Sequence, residues 1–246
     1  MAASIRPLLA AALLAANAAA LGAFTFEPMS AFLDPSGPGA VRTYRLRNVG
    51  ADRIAVRVRI LTRETGADGA EVNGPVAEGQ FVVFPSRFVL EAGAVRALKV
   101  QWTGGGVGPR ERAFRIVAEQ VPVEFEEAPG SGINLLFRYV GALYVKPADA
   151  APAAVRPVSA VGTDVSGKRG VLLRLRNDGG VHAVMLDVSL TLARGGGQPA
   201  VLSADALAAV EGENLLAGAE RSFFIPWPDA EIGGAYDARI GLTSEY

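Results

Sequence analysis

The sequence predicts an all-β protein built as two immunoglobulin-like β-sandwich domains in series. Three observations carry that prediction. Short apolar-rich runs recur between turn signals at intervals of ~8–12 residues. The runs are rich in Val, Ile, Leu, Phe and Tyr, the residue types enriched in strands. Several alternate apolar with charged residues at the two-residue period of a half-buried strand. A length of 246 residues fits one large or two ordinary domains. Half of the residues are hydrophobic and 20% charged, a globular balance with material for more than one core.

The elements follow in order. "MAASIRPLLAAALLAANAAALGAF" carries one basic residue, Arg6, then an apolar run of small residues and leucines with small residues at cleavage positions after Ala20 or Ala23. This reads as a secretory signal peptide over 1–23. A membrane anchor is the alternative, but the run from Leu8 to Leu21 is short for a span of ~20 residues. Losing Arg6 takes the formal net charge from −1 to −2. "FTFEPMSAFLD" reads as the first strand. In "AVRTYRLRNVG", Val41, Thr43, Tyr44 and Leu46 oppose Arg42, Arg45 and Arg47, with one break in phase that suggests a bulge. "RIAVRVRILTRE" is cleaner: Ile54, Val56, Val58 and Ile60 oppose Ala55, Arg57 and Arg59. "TGADGAEVNGPVAEG" reads as a loop, "FVVFPSRFVLEAGAVRALKVQW" as two runs joined by "EAG", and "RAFRIVAEQVPVEF" as a further strand. "VKPADAAPAAVRP" is rich in Pro and Ala and places a linker near Pro147, dividing a domain over 24–147 from one over 148–246. The second half is laid out like the first, with "GVLLRLRNDGGVHAVMLDVSLTLA" matching "AVRTYRLRNVGADRIAVRVRILTR" in its strand, turn and alternating strand. "RSFFIPW" and "AYDARIGLTSEY" add strands, and "LSADALAAVEG" has modest helical character.

Composition excludes more chemistry than it suggests. Cysteine is absent, which rules out disulfides and thiolate metal sites. With a single histidine, His182, a catalytic triad or histidine-rich metal site is nearly excluded. In "NDGGVHAV" this residue reads as strand edge or loop. "GGG" at 104–106 and 195–197 lacks the Lys-Ser/Thr of a phosphate-cradling loop and reads as turns, so no ATP site is visible. Glu126 and Glu127 are adjacent and on a strand would point to opposite faces, which does not suit an acid/base pair. Arg42, Arg45, Arg47, Arg57, Arg59 and Arg63 form a basic tract whose alternation marks the wet face of a sheet, with an anionic partner as the alternative. The net charge lacks the excess of a nucleic-acid binder. The reading is a non-enzymatic protein with no cofactor, no metal and no stable membrane insertion.

One stretch stands apart. In "SGINLLFRYVGALYVKP", Ile133, Leu135, Phe137 and Tyr139 share one face and Leu136, Val140, Ala142 and Tyr144 the other. Both faces are largely apolar, which suits a strand covered on both sides. No helices are predicted to cover the second.

Several of these runs together resemble the PapD-like periplasmic chaperones of the chaperone–usher pathway, which assemble pili. "FVVFPSRFVLEAGAVRALKV" looks like the family's proline-containing strand leading to L-x-x-G and a basic strand. "RERAFRIVAEQVP" looks like its sixth strand, from an Arg-acidic pair to an acid-or-amide, aliphatic, Pro close. "INLLFRYVGALYVKP" looks like its seventh, ending in a basic residue and proline at the hinge. The likeness covers the mature first domain and, more weakly, "LRLRNDGGVHAVML". It implies two domains joined by a hinge into an L-shaped molecule. The seventh strand would be lent to an incomplete pilus or fimbrial subunit, whose groove it completes. By register against the hinge proline, the donor residues would be Ile133, Leu135 and Phe137, extended by Tyr139, while Leu136 and Val140 would face the chaperone's own core. Delivery would be to an outer-membrane usher, from the periplasm.

The resemblance also exposes departures. Where the family anchors the subunit's C-terminal carboxylate with Arg and Lys, this chain has Pro28 and Ala142. Arg112 is the best substitute cation and Arg138 the second. Lys146, with Pro147, matches the hinge, where the family's basic residue makes a salt bridge that sets the interdomain angle. These departures look more like the family's divergent archaic branch. A structural surface module, such as a pilin or adhesin sandwich, is the competing reading, and an exported hydrolase a distant third for want of a nucleophile–base set.

Overall fold

The computed structural model describes residues 24–66, 70–122 and 135–245. Residues 1–23, which read as a signal peptide in the sequence, the Glu126–Glu127 pair and Ile133 lie outside the described residues. Strands β1 (Phe24–Glu27), β2 (Ser30–Leu33), β3 (Val41–Asn48), β4 (Ile54–Thr65), β5 (Glu71–Val76), β6 (Phe81–Phe84), β7 (Arg87–Leu90), β8 (Val95–Trp102), β9 (Arg112–Val121) and β10 (Arg138–Val145) make the first sandwich. Its sheets run β1-β3-β8-β6 and β2-β10-β9-β4-β5, with β7 also on β4. The second comprises β11 (Val155–Val165), β12 (Lys168–Asn177), β13 (Ala183–Ala193), β14 (Ala200–Val201), β15 (Asn214–Leu215), β16 (Glu220–Pro226) and β17 (Asp237–Glu245). Its sheets are β11-β12-β16 and β14-β13-β15, with β17 beside β13.

Each sandwich closes over its own core. In the first, Tyr44, Leu46, Leu98, Val100 and Trp102 face Val56, Val58, Ile60, Phe114, Ile116 and Leu143 across the sheets. In the second, Leu173, Leu175, Phe223 and Ile225 face Met185, Leu190 and Leu192. Full burial of such a side chain is worth ~1.5–3 kcal/mol, so these rows are the main source of stability. The layout shared by the two halves reflects one device used twice. Asn48 Nδ2 donates to the carbonyls of Asp52 and Leu90 at 2.7 and 3.0 Å, while its Oδ1 accepts from Gly50 N. Asn177 Nδ2 donates to Val181 and Leu215 at 2.8 and 3.1 Å, and its Oδ1 accepts from Gly179 N and Ala154 N. Both asparagines are fully buried. Each ties the end of one strand to the strand across the sandwich, satisfying main-chain groups that a turn leaves unpaired.

Several expectations about single elements need correction. The opening run is two strands: β1 pairs antiparallel with β3, and beyond Pro28 the chain crosses to the other sheet, where β2 pairs parallel with β10. β3 has no bulge; its register with β8 is unbroken, and the inward residues are Tyr44, Leu46 and Asn48. The loop after β4 contains β5, which pairs with β4 despite its glycine and proline. "FVVFPSRFVLEAGAVRALKVQW" is three strands rather than two, because Pro85 has no N–H to continue a ladder and the chain changes sheets there. "LSADALAAVEG" yields only a 3-10 turn at Asp205–Leu207.

Candidate functional site

β10 is the element on which the functional reading rests. It pairs antiparallel with β9 along its whole length, from Arg138 opposite Glu119 to Val145 opposite Arg112. On its other edge, β2 covers only Ala142–Val145. Among the described residues no strand covers Arg138–Gly141 on that side, which leaves a short open edge of main-chain donors and acceptors. Met29 O accepts from Ala142 N at 2.7 Å, and a Cβ at Gly141 would sit 2.8 Å from the same oxygen, so this approach requires glycine.

The strand's phase corrects the sequence expectation. Leu143 and Val145 are fully buried in the first core, and Phe137 and Tyr139 pack half-buried against it. Tyr139 meets Phe24 edge-on at 4.8 Å. The core-facing row is therefore the odd-numbered one; Leu136 and Val140 do not face the core. Leu136 is 57% exposed, and Val140 lines a hollow on the outer face with Glu71, Val72, Asn73 and Arg115. The odd-numbered row also grades outward, from buried Leu143 through half-buried Tyr139 and into the residues that precede β10, where Phe137 is half-buried and Leu135 is 52% exposed.

The grading coincides with the end of the ladder. Gln120 N donates to Phe137 O at 2.9 Å, but Phe137 N donates to the Gln120 side-chain oxygen, at 2.8 Å. A side chain thus stands in for the main chain where β10 parts from β9. In the sequence Gln120 is marked only by the resemblance, as the amide of the acid-or-amide, aliphatic, Pro close with Val121 and Pro122.

At the other end the second domain covers the outer face. The His182 ring stacks on Tyr144 with centroids 3.9 Å apart, and Phe32 lies against both, at 5.4 and 5.9 Å. Tyr144 Oη accepts from Arg63 at 2.6 Å and from Asn214 Nδ2 at 2.9 Å. Burial pushes the Tyr144 phenol above its ordinary range; the Arg63 and Asn214 contacts oppose this and the Glu111 charge adds to it. Glu111 Oε1 accepts from both the main-chain N and the Nδ1 of His182, at 2.6 and 2.8 Å, and Glu111 N donates to Gly180 O at 2.9 Å. His182 does lie in the loop before β13, yet it is buried between the domains rather than solvated. What covers the second apolar face of β10 at this end is the second sandwich. Lys146 holds its ammonium 5.8 Å from the Phe32 ring centroid, and Pro147 is buried beside it.

The two cations singled out as anchors stand far apart. Arg112 caps the hinge end of the core, its guanidinium 5.4 Å from the Trp102 ring and 5.2 Å from Phe114. Arg138 lies seven residues along the same ladder, ~23 Å away at ~3.3 Å per residue, with Nε 3.8 Å from Glu119. No one carboxylate can meet both. The outer face of the sheet, where Arg138 lies, holds further cations that alternation alone reads as a solvated tract. Arg57 and Arg59 bond Glu119 at 2.7 and 2.9 Å. Burial works against the Glu119 charge, but the Arg57 hydrogen bond and the charges of Arg59, Arg57 and Arg138 outweigh it and hold the carboxyl below its ordinary range. Glu71 bridges buried Arg63 and Arg115, the latter at 2.8 Å. Arg115 is the direct cross-strand neighbour of Ala142, one of the two positions where the resemblance expects an anchor. Among the described residues, no group of three or more His, Asp or Glu is placed to hold a metal ion.

Comparison with known proteins agrees with this architecture. Residues 37–151 match the N-terminal domain model of PapD, the pili and flagellar-assembly chaperone. No curated protein sequence matches the chain. Among solved structures, the archaic chaperone–usher complex of CsuC with the tip subunit CsuE from Acinetobacter baumannii aligns with a TM-score of 0.62 at 12% identity, covering 91% of this chain and 93% of that one. SafB of Salmonella enterica, solved with the pilin SafA, aligns at 0.54 and 18%, covering 91% and 97%. The E. coli chaperone DraB aligns at 0.52 and 17%, covering 89% and 96%. The family match covers the first sandwich, and the solved chaperones share the two-sandwich fold over nearly the whole chain.

Proposed function

We propose that this protein is a periplasmic chaperone that captures pilus or fimbrial subunits by donor-strand complementation and passes them to an outer-membrane usher. The observation that carries the reading is β10. Its core-facing row runs out of the protein's own core into solvent at Leu135, beside an open main-chain edge at Arg138–Gly141. A subunit lacking a strand would satisfy that edge and seat the exposed apolar row in its groove. Because the donor row and the core row share a face, a bound subunit would extend the chaperone's core. Ile133 and Leu135 would enter the groove, and Phe137 and Tyr139 would form the seam between the two cores. The working division of the chain is export through residues 1–23, with the mature protein starting near Leu21 or Phe24, then domains at 24–147 and 148–246.

For the subunit's terminal carboxylate the reading offers Arg112 and Arg138 and adds Arg115, which lies beside Ala142 on the face turned toward the second domain. Charge-assisted contacts of this kind are worth ~1.5–3 kcal/mol, so alanine at the true anchor would lower subunit yield clearly. Comparing Arg112→Ala, Arg115→Ala and Arg138→Ala decides among them.

Co-expression of the chaperone with a subunit from a chaperone–usher pilus, followed by co-purification from the periplasm, tests the whole reading. Leu135→Asp should abolish capture while leaving the free protein's Tm nearly unchanged, since substitutions at exposed positions usually cost less than ~0.5 kcal/mol. A folded Leu135→Asp protein that still holds subunits would sink it.

A further inference from the structure

The arginine tract of the first domain falls on two sheets with opposite electrostatic fates. On the β2-β10-β9-β4-β5 face, Arg57, Arg59 and Arg138 share Glu119, and Arg63 and Arg115 share Glu71. On the outer face of β1-β3-β8-β6, Arg45, Arg47 and Lys99 are exposed, and none of them forms an ion pair among the described residues. Glu27 stands across from Arg45 in register without bonding it. Arg45 and Arg47 share a face of β3, and Lys99 is the diagonal neighbour of Arg45 on β8, so the three lie in steps of ~7 Å. Like charges this close repel one another until something anionic lies over them.

The same face carries isolated apolar side chains at its rim. Phe84 is 76% exposed and stands opposite Lys99; Val95 is 55% exposed opposite Arg47; Val82 is 51% exposed at the edge strand β6. The surface they frame is a four-stranded sheet, with an open hollow at the β1 edge lined by Glu27, Pro28, Thr43, Tyr44 and Arg45. The domains are charged oppositely as well. Residues 24–147 hold 15 Lys/Arg against 13 Asp/Glu, a net +2, and residues 148–246 hold 8 against 12, a net −4. An anionic plane would therefore orient the molecule first domain down.

We propose that this face is a peripheral docking surface for an anionic phospholipid bilayer. Arg45, Arg47 and Lys99 meet headgroup phosphates, while Phe84 and Val82 dip into the interfacial layer. The cationic row and the scattering of the apolar residues, singly rather than along a groove, favour a membrane over an acidic polypeptide, which would need a groove to hold it. β10 belongs to the other sheet, so a protein adsorbed in this way keeps its open edge free.

The test is co-sedimentation of the mature protein with unilamellar vesicles of phosphatidylcholine, with and without about 30% phosphatidylglycerol. Partitioning should be roughly tenfold or more stronger on the anionic vesicles and should be lost in about 0.5 M salt, where the Debye length is only a few ångströms. The triple variant Arg45→Glu/Arg47→Glu/Lys99→Glu should not bind, Phe84→Ser should bind more weakly at fixed salt, and Arg174→Glu on the second domain should bind as the parent. If the triple reversal lowers Tm, the triple glutamine variant replaces it, with the same loss expected. Equal binding to neutral vesicles, no binding to either, or undiminished binding by the folded triple variant would overturn the proposal. Binding of a poly-glutamate peptide without vesicle binding would overturn it too, and would give the face to an acidic protein partner.

Discussion

The hinge end of β10 and the residues that lead into the strand are alike in sequence and opposite in environment. At the hinge end, Leu143 and Val145 are sealed in the first core and Tyr144 is roofed by His182, Phe32 and Asn214. Seven and eight residues before Leu143, Leu136 and Leu135 are as apolar and largely exposed. One stretch of chain is therefore both scaffold and exposed apolar surface, and the two are separated by position along it rather than by residue type. The transition is marked by Gln120, which holds the last main-chain group before the strand parts from its neighbour.

Substitutions along the strand can break or sharpen that contrast. Leu143→Asp has the largest expected effect: an unpaired charge in a sealed core should cost more than ~4 kcal/mol and unfold the first domain, seen as loss of its thermal transition. Tyr144→Phe leaves Arg63 and Asn214 without their shared acceptor and should cost ~1–3 kcal/mol in chemical denaturation, with the domains loosened relative to one another in small-angle scattering. Gln120→Ala should cost only ~0.5–1.5 kcal/mol but speed hydrogen exchange at the Phe137 amide, with Gln120→Glu restoring protection. Leu136→Asp has the smallest expected effect, below ~0.5 kcal/mol, and should leave subunit capture intact where Leu135→Asp removes it. If Leu136→Asp unfolds the protein instead, the phase assigned to β10 is wrong.

That phase shows what the sequence can and cannot disclose. In β4 the inward row of Val56, Val58 and Ile60 is legible because Arg57 and Arg59 mark the wet face. In β10 no charge marks either face beyond Arg138, since one row meets the core and the other meets a second domain. Periodicity then has nothing to distinguish them, and a register counted from the hinge proline puts Leu136 and Val140 on the wrong side. The interdomain joint is hidden for a related reason. Arg63, Glu71, Glu111, His182 and Asn214 lie far apart in the chain and look like solvated polar residues until the two sandwiches meet. β5 escapes a reading by composition because its Asn73-Gly74-Pro75 carries turn signals, which its ladder with β4 and the Glu71 ion pairs override. Alternation and turn spacing report the rest directly: two sandwiches, their order, and an apolar strand with no predicted cover.

The buried phenol at the joint gives the molecule an optical handle. Because burial holds Tyr144 neutral above the ordinary tyrosine value of 10.0, its contribution to stability is fully present below that pH and fades as alkali approaches its higher folded value. Its ultraviolet absorbance should then shift to that of the phenolate only as the two domains come apart. Subtracting the alkaline titration of the Tyr144→Phe variant from that of the parent would isolate this one chromophore and turn the opening of the interdomain joint into a spectrophotometric curve, with no label attached.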